Sequence, residues 1–306
     1  MTRMTPPNTL RPGDDVAKAL QFTEARLAQS GVFFGHGTDN AADEAFALVA
    51  TAAHLADGYD ADLAGYKLTE DQVNRITQLL ERRIEQRVPL PYLLGRARFA
   101  GLEFLCDERA LVPRSPLAEL ILNDYQPWYA GPEPRRLLDL CCGGGSIGLS
   151  AAYYRPDLRV DLSDVSMDAL ALADENRLQW GLQDRVDIVR SDVFSQLSGR
   201  YDIILSNPPY VDAEDLAGMP QEYRHEPEQG LGAGLDGLDL ARRILSQARS
   251  YLEDRGLLIL EVGNSAEALM DVYPAVPFTW VELQNGGHGV LAMTAGELEA
   301  FFPEWS

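Results

Sequence analysis

The sequence predicts an α/β fold: a mostly parallel sheet with helices on both faces, closed by an antiparallel hairpin and preceded by a small all-helical domain. Three observations carry this. From Arg136 onward, short apolar runs alternate with helical patterns, the rhythm of a parallel sheet. Glycines and acids stand at the ends of those runs. Residues 14–87, by contrast, hold three stretches of helical periodicity and no strand pattern.

Residues 1–13 hold the turn formers Pro6, Pro7, Pro12 and Gly13 with little apolar content, and read as a loose tail. From Asp14 the pattern is helical. Val16, Leu20, Thr23 and Leu27 share a face, and Gly31 supplies a stop. The glycine-broken loop Phe33–Asn40 follows. Its lone His36 reads as a hydrogen-bonded structural residue, and Asn40 caps a second helix reaching about Leu55. Thr69-Glu70-Asp71-Gln72 is a capping box. It opens a third helix with Val73, Ile76, Leu80 and Ile84 on one side, ending before Pro89.

Over residues 97–112 the character changes. Phe99, Leu102, Phe104 and Leu111–Val112, interrupted at Asp107–Arg109, predict a β-hairpin. Ser115 then caps a helix with Pro116 at its first position. Leu137–Cys141, Leu158–Asp164, Val186–Arg190, Tyr201–Leu205 and Leu257–Val262 read as buried strands. Helices are expected at Ser146–Tyr154 and from the cap Ser166 to Trp180, stopped by Gly181. Phe278–Leu283 and Gly289–Met293 form the closing hairpin.

The chain has 306 residues, 46% hydrophobic and 24% charged, an ordinary globular composition. No apolar run approaches the ~20 residues of a membrane span, and residues 1–15 lack the apolar stretch of a signal peptide. Cys106, Cys141 and Cys142 fit neither a metal spacing nor a secreted disulfide framework, and the four histidines show no ligand spacing. A cytoplasmic protein without metal is expected. The net charge is −21. Residues 1–95 carry 9 basic and 13 acidic side chains, and residues 96–306 carry 17 and 34, so the two parts stand at −4 and −17. An acidic surface repels phosphate and favours basic partners, which argues against a nucleic-acid substrate.

The chemistry is legible at strand ends. Asn207-Pro208-Pro209-Tyr210 follows the apolar run Tyr201–Leu205 and so sits where open α/β sheets place ligands. Pro209 holds Pro208 extended, and Pro208 has a fixed φ and no N–H. The turn therefore offers two acceptors, the Asn207 side-chain oxygen and the Pro208 carbonyl, beside the flat face of Tyr210. That set suits a planar NH₂ group, either an amide or a nucleobase amine. The loop Asp139-Leu-Cys-Cys-Gly143-Gly144-Gly145 lies between the first strand and its helix, where glycine lets backbone approach a ligand closely. Asp164 ends the next strand, placed for ribose hydroxyls. Asp192 ends the third, placed for an adenine amine, with Val193 or Phe194 covering the ring.

Taken together, the glycine loop, Asp164, Asp192 and Asn207-Pro208-Pro209-Tyr210 resemble class I S-adenosylmethionine methyltransferases that methylate glutamine side-chain amides in proteins. The likeness extends to the helical N-terminal part, Pro113-Arg114, Gly234–Arg243 and Glu261-Val262-Gly263. Within that group, Gly35–Asn40 and Glu222–Glu228 resemble the branch acting on large-subunit ribosomal protein L-three rather than the one acting on peptide release factors. Cys142 stands where relatives often carry Thr, and Ser115-Pro116 departs from the release-factor pattern. The resemblance implies a Rossmann-like seven-stranded sheet, S-adenosylmethionine as cofactor, and L-three as protein partner. It implies catalytic roles for Asn207, Pro208 and Tyr210, and cofactor contacts at Asp139, Gly143, Gly145, Asp164, Asp192, Val193 and Asn207. It also implies three parts: residues 1–95 as a substrate-recognition domain or lid, 96–113 as a linking hairpin, and 114–306 as the methyltransferase domain. Release factors, and more remotely an adenine amine in nucleic acid, are the alternative substrates.

Overall fold

The computed structural model describes residues 9–55 and 65–303; residues 1–8 of the predicted tail lie outside them. The chain forms two compact units. One is Met1–Arg96 with Pro220–His225, and the other is Ala97–Met219 with Glu226–Ser306.

In the helical unit, α1 (Val16–Ser30) starts where Asp15 accepts the Lys18 N–H and stops at Gly31 in the left-handed conformation. Helix α2 (Ala41–Ala53) is capped by Asn40, and α3 (Glu70–Glu85) by the reciprocal bonds of Thr69 and Gln72. A short α4 (Leu90–Leu94), which sequence periodicity does not predict, follows Pro89. Leu27, Leu48, Val49, Ile76 and Leu80 fill the core. His36 is buried, its ring 4.6 Å from that of Tyr223. Sequence order alone would assign residues 220–225 to the sheet unit. They belong here because Arg83 buries Glu222: Nη1 lies 3.2 Å from the Glu222 carboxylate, while Nε and Nη2 grip Glu44 at 2.9 and 3.0 Å.

In the other unit, β1 (Arg96–Phe99) and β2 (Leu102–Leu105) form a two-stranded sheet joined by Ala100-Gly101, both at positive φ. The predicted Leu111–Val112 limb of this hairpin is not a strand. Helix α5 (Leu117–Leu122) begins one residue later than expected. Ser115 accepts the Leu117 N–H, and no side chain makes the ordinary cap bond. The remaining elements are β3 (Arg136–Leu140), α6 (Ser146–Tyr154), β4 (Arg159–Asp164), α7 (Met167–Gln179), β5 (Val186–Arg190), β6 (Tyr201–Ser206), α8 (Ala213–Gly218), α9 (Asp239–Tyr251), β7 (Leu252–Glu261), α10 (Ala266–Val272), β8 (Thr279–Trp280), β9 (Val290–Thr294) and α11 (Ala295–Phe301).

The sheet order is β5-β4-β3-β6-β7-β9-β8, parallel from β5 to β7, with β9 antiparallel to both neighbours. The closing hairpin forms, but β8 is only two residues long, and β9 inserts between it and β7. Period-two alternation feeds two cores. Leu137, Ile203, Leu205, Leu257 and Ile259 join one cluster; Leu138, Leu140, Ile204, Leu258 and Leu260 join the other. Each fully buried side chain of this size contributes about 1.5–3 kcal/mol, so the central strands are the rigid platform beneath the loops.

Candidate active site

Register sets which residues share the carboxyl edge of the sheet. Ser163 on β4 pairs with Leu140 on β3, Leu140 with Ser206 on β6, and Ser206 with Leu260 on β7. The next residues, Asp164, Cys141, Asn207 and Glu261, therefore form one row. Strands are ~4.8 Å apart, which puts Asp164 and Asn207 about 10 Å apart. The glycine loop rises between them from β3. Here too the chain reverses its order: β4 and β5 lie on one side of β3, β6 and β7 on the other. A topological switch point of this kind is where open α/β sheets bind ligands.

The loop is held by its own backbone geometry. Cys141, Gly143 and Gly145 have φ of 62°, 53° and 82°. At Gly148 a Cβ would fall 2.4 Å from Leu162 and 2.8 Å from Asp139, so only glycine lets α6 pack this close to the sheet. Asp139 sits fully buried beneath. Its Oδ2 accepts the Gly148 N–H at 2.7 Å, and its Oδ1 has no hydrogen-bond partner among the described residues. Burial pushes the Asp139 carboxyl up to about 7 against the pull of that N–H, with the nearby Asp164 charge adding to the rise. Asp139 thus ties β3 to α6 from behind the loop.

Asp164 stands at the front. Its Oδ2 accepts the Gly143 N–H and its Oδ1 the Ser166 N–H, each at 2.9 Å. It pins the glycine loop, a role the sequence does not reveal, and each oxygen keeps a second lone pair. Burial raises its pKa. Asp192 is 60% exposed and pairs with Arg243 on α9 at 2.9 Å, which holds its carboxyl below the usual range. The Val193 side chain is 4% exposed in the core beside Phe194, and its φ is +50°. Phe194 is also fully buried, stacked on Tyr251.

On the other side of the loop, the Ser206 hydroxyl donates to the Leu140 carbonyl at 2.7 Å and locks β6 against β3. Asn207, next in line, is half-buried beside the Pro208-Pro209 turn. Tyr210 is anchored: its hydroxyl donates to Glu261 at 3.0 Å, and its carbonyl accepts from Ser265 at 2.7 Å. The sequence marked Glu261 within a strand and as part of the family-like Glu261-Val262-Gly263 stretch, without a role, and did not single out Ser265. Glu226, from the segment after the turn, is buried and takes the Val112 N–H and Arg114 at 3.0 and 2.8 Å. Glu222 and Glu226 are therefore structural acids rather than a face offered to a basic partner. Among the described residues no cluster of His, Cys, Asp and Glu could hold a metal, and no helix is long and apolar enough to cross a membrane.

A parallel core with an antiparallel strand inserted at its edge, a glycine loop after the first strand and an acid after the second define a class I S-adenosylmethionine-dependent methyltransferase. The methyltransferase small domain model matches residues 120–220. The hMettl16 catalytic domain, solved with the MAT2A 3′UTR hairpin 6, superposes with a TM-score of 0.50 over 73% of this chain and 80% of that one, at 19% identity, a likeness of fold alone. Two relatives carry the same name, ribosomal protein uL3 glutamine methyltransferase. The Francisella tularensis protein is 44% identical over 91% of this chain and 90% of its own, and the Xylella fastidiosa protein 46% identical over 93% and 91%. The chain belongs to the ribosomal protein uL3 glutamine methyltransferase family.

Proposed function

We propose that this chain transfers the methyl group of S-adenosylmethionine to the side-chain amide nitrogen of a glutamine in ribosomal protein uL3. The observation that carries the reading is near-full-length identity to two uL3 glutamine methyltransferases. The residues present fit the cofactor. The loop at Gly143–Gly145 offers close backbone approach, and Asp164 keeps lone pairs for ribose hydroxyls while pinning that loop. Asp192 is exposed enough to accept an adenine amine, in exchange for or alongside Arg243. Bound there, the cofactor supplies an electrophilic methyl group on a cationic sulfur.

The chain's own part is to bind and orient. The Asn207 side-chain oxygen and the Pro208 carbonyl accept the two N–H bonds of the glutamine amide, and Tyr210 lies against its plane. The reading is supported by the sheet register, in which Asn207 follows β6 on the far side of β3 from Asp164, so that amide and cofactor would meet over the switch point. Fixing two reactants in this way is worth several kcal/mol of barrier. The helical unit is the candidate for recognition of the rest of uL3.

Charge supports a protein substrate met before or during ribosome assembly, in the cytoplasm. The −17 on residues 96–306 attracts a basic ribosomal protein and opposes docking on exposed ribosomal RNA. The test offers the purified enzyme labelled cofactor with free uL3, intact ribosomes or a peptide release factor. Labelling of a glutamine in free uL3, located by mass spectrometry, is expected, with intact ribosomes labelled poorly. Labelling of the release factor with none on uL3 overturns the substrate assignment. Equal labelling of free uL3 and ribosomes overturns the timing.

A further inference from the structure

We propose that Glu261 and Ser265 are positioning residues that fix the ring of Tyr210 before substrate arrives, an inference that rests on the glutamine-transfer reading. Tyr210 is held at both ends by one short stretch leaving β7. At the side-chain end, its hydroxyl donates to Glu261 Oε1 at 3.0 Å. At the backbone end, the Ser265 hydroxyl donates to its carbonyl at 2.7 Å. Between these two anchors lies Gly263, with φ +48°. A Cβ there would fall 2.4 Å from Tyr210 Cε2 and 2.8 Å from Cζ, so the ring lies against bare backbone. Gly237 leaves room for the backbone anchor: a Cβ there would meet Ser265 Oγ at 2.2 Å and the Tyr210 carbonyl at 2.3 Å.

Glu261 is itself set in place. Its other oxygen accepts from Ser115 at 2.6 Å, and Ser115 in turn accepts the Leu117 N–H at the start of α5. Arg114 and His288 are the charged and titratable groups whose fields reach it besides Tyr210. Burying a carboxylate costs several kcal/mol unless its oxygens are hydrogen-bonded, and both of these are bonded to side chains that lead into the site. A carboxylate so placed, two residues from a glycine that admits the ring and four from the serine that donates to the same tyrosine's carbonyl, is explained by holding Tyr210 rather than by core packing. A tyrosine fixed in this way presents one plane to a planar carboxamide with no ordering left to be done.

The test is a set of variants in the full chain. Glu261→Met removes the acceptor at similar volume, Glu261→Gln retains an acceptor for the Tyr210 hydroxyl, and Tyr210→Phe removes the hydroxyl. With uL3 as substrate, Glu261→Met and Tyr210→Phe should each lower kcat about 10- to 100-fold with cofactor Kd unchanged within twofold. Glu261→Gln should return most of the rate. In the Tyr210→Phe background, Glu261→Met should cost less than a further twofold, because both changes remove one contact. An undiminished loss in that background overturns the proposal. A second readout needs no substrate: in protein labelled with 3-fluorotyrosine, the fluorine resonance absent from Tyr210→Phe identifies Tyr210. It should move in Glu261→Met and in Ser265→Ala. An unmoved resonance in folded variants overturns the positioning role whatever the enzyme methylates. Failure of wild-type enzyme to label uL3 strikes the substrate reading alone.

Discussion

Replacing Asp139 by Asn should make the protein more stable at pH 8 and leave it no more stable at pH 5. Asp139 is fully buried, with one oxygen on the Gly148 N–H and the other without a hydrogen-bond partner among the described residues. Its pKa rises from an ordinary 3.8 to about 7 in the fold. The unfolded chain then releases its proton first and binds fewer protons than the native state, so stability falls as pH rises from about 4 to about 7. The full loss corresponds to roughly 4 kcal/mol, reached above pH 7, and about 1.5 kcal/mol at pH 5. Asn abolishes it while keeping an acceptor for Gly148, but introduces a buried NH₂ that costs about 1–3 kcal/mol if unpaired. The net gain at pH 8 is therefore about 1–3 kcal/mol, and at pH 5 the gain vanishes or reverses. Thermal unfolding reads this directly, at about 2–4 °C per kcal/mol for a domain of this size. An identical shift in Tm at both pH values would refute a raised pKa at Asp139.

Asp164→Ala should weaken S-adenosylmethionine binding by about 1–3 kcal/mol, the usual cost of losing hydrogen bonds to a charged group, and should also free Gly143. Calorimetric titration of the folded variant decides it, and an unchanged Kd removes Asp164 from the site. Asn207→Ala should leave cofactor affinity intact and cut turnover at least ~100-fold, since a misplacement of ~1 Å can cost that much; near-normal turnover would make the turn structural. Arg83→Met should destabilise the helical unit by about 3–5 kcal/mol by leaving Glu44 and Glu222 buried without their shared cation. Adding Glu44→Leu should recover part of that, because Glu222 retains the Phe33 N–H and Arg87 while Glu44 is left with a long contact to Thr38. Protection from hydrogen exchange over α3 should fall and partly recover in step, and additive losses would contradict a common ion cluster.

Much of the fold was legible because it rests on local chemistry. Asn40, the Thr69/Gln72 box and Ser166 cap helices through bonds spanning three residues, and Gly31 and Gly181 end them through their own φ. The central strands declared themselves as apolar runs because both faces of a parallel sheet are covered. Asp164 and Asn207 could be placed at strand ends from the length of those runs alone. Other features depend on partners distant in the chain. That Glu222 belongs with the helical unit follows from Arg83, 139 residues away. That Asp139 lies behind the glycine loop and Val193 inside the core follows from which way successive side chains face once β3 and β5 are paired into the sheet. The Ser115–Glu261–Tyr210 chain joins three segments whose closest pair is 51 residues apart. Local hydrogen bonds and periodicity are written in neighbouring residues. Burial of a charge, and the orientation of one side chain by another across the sheet, exist only after the chain has closed upon itself.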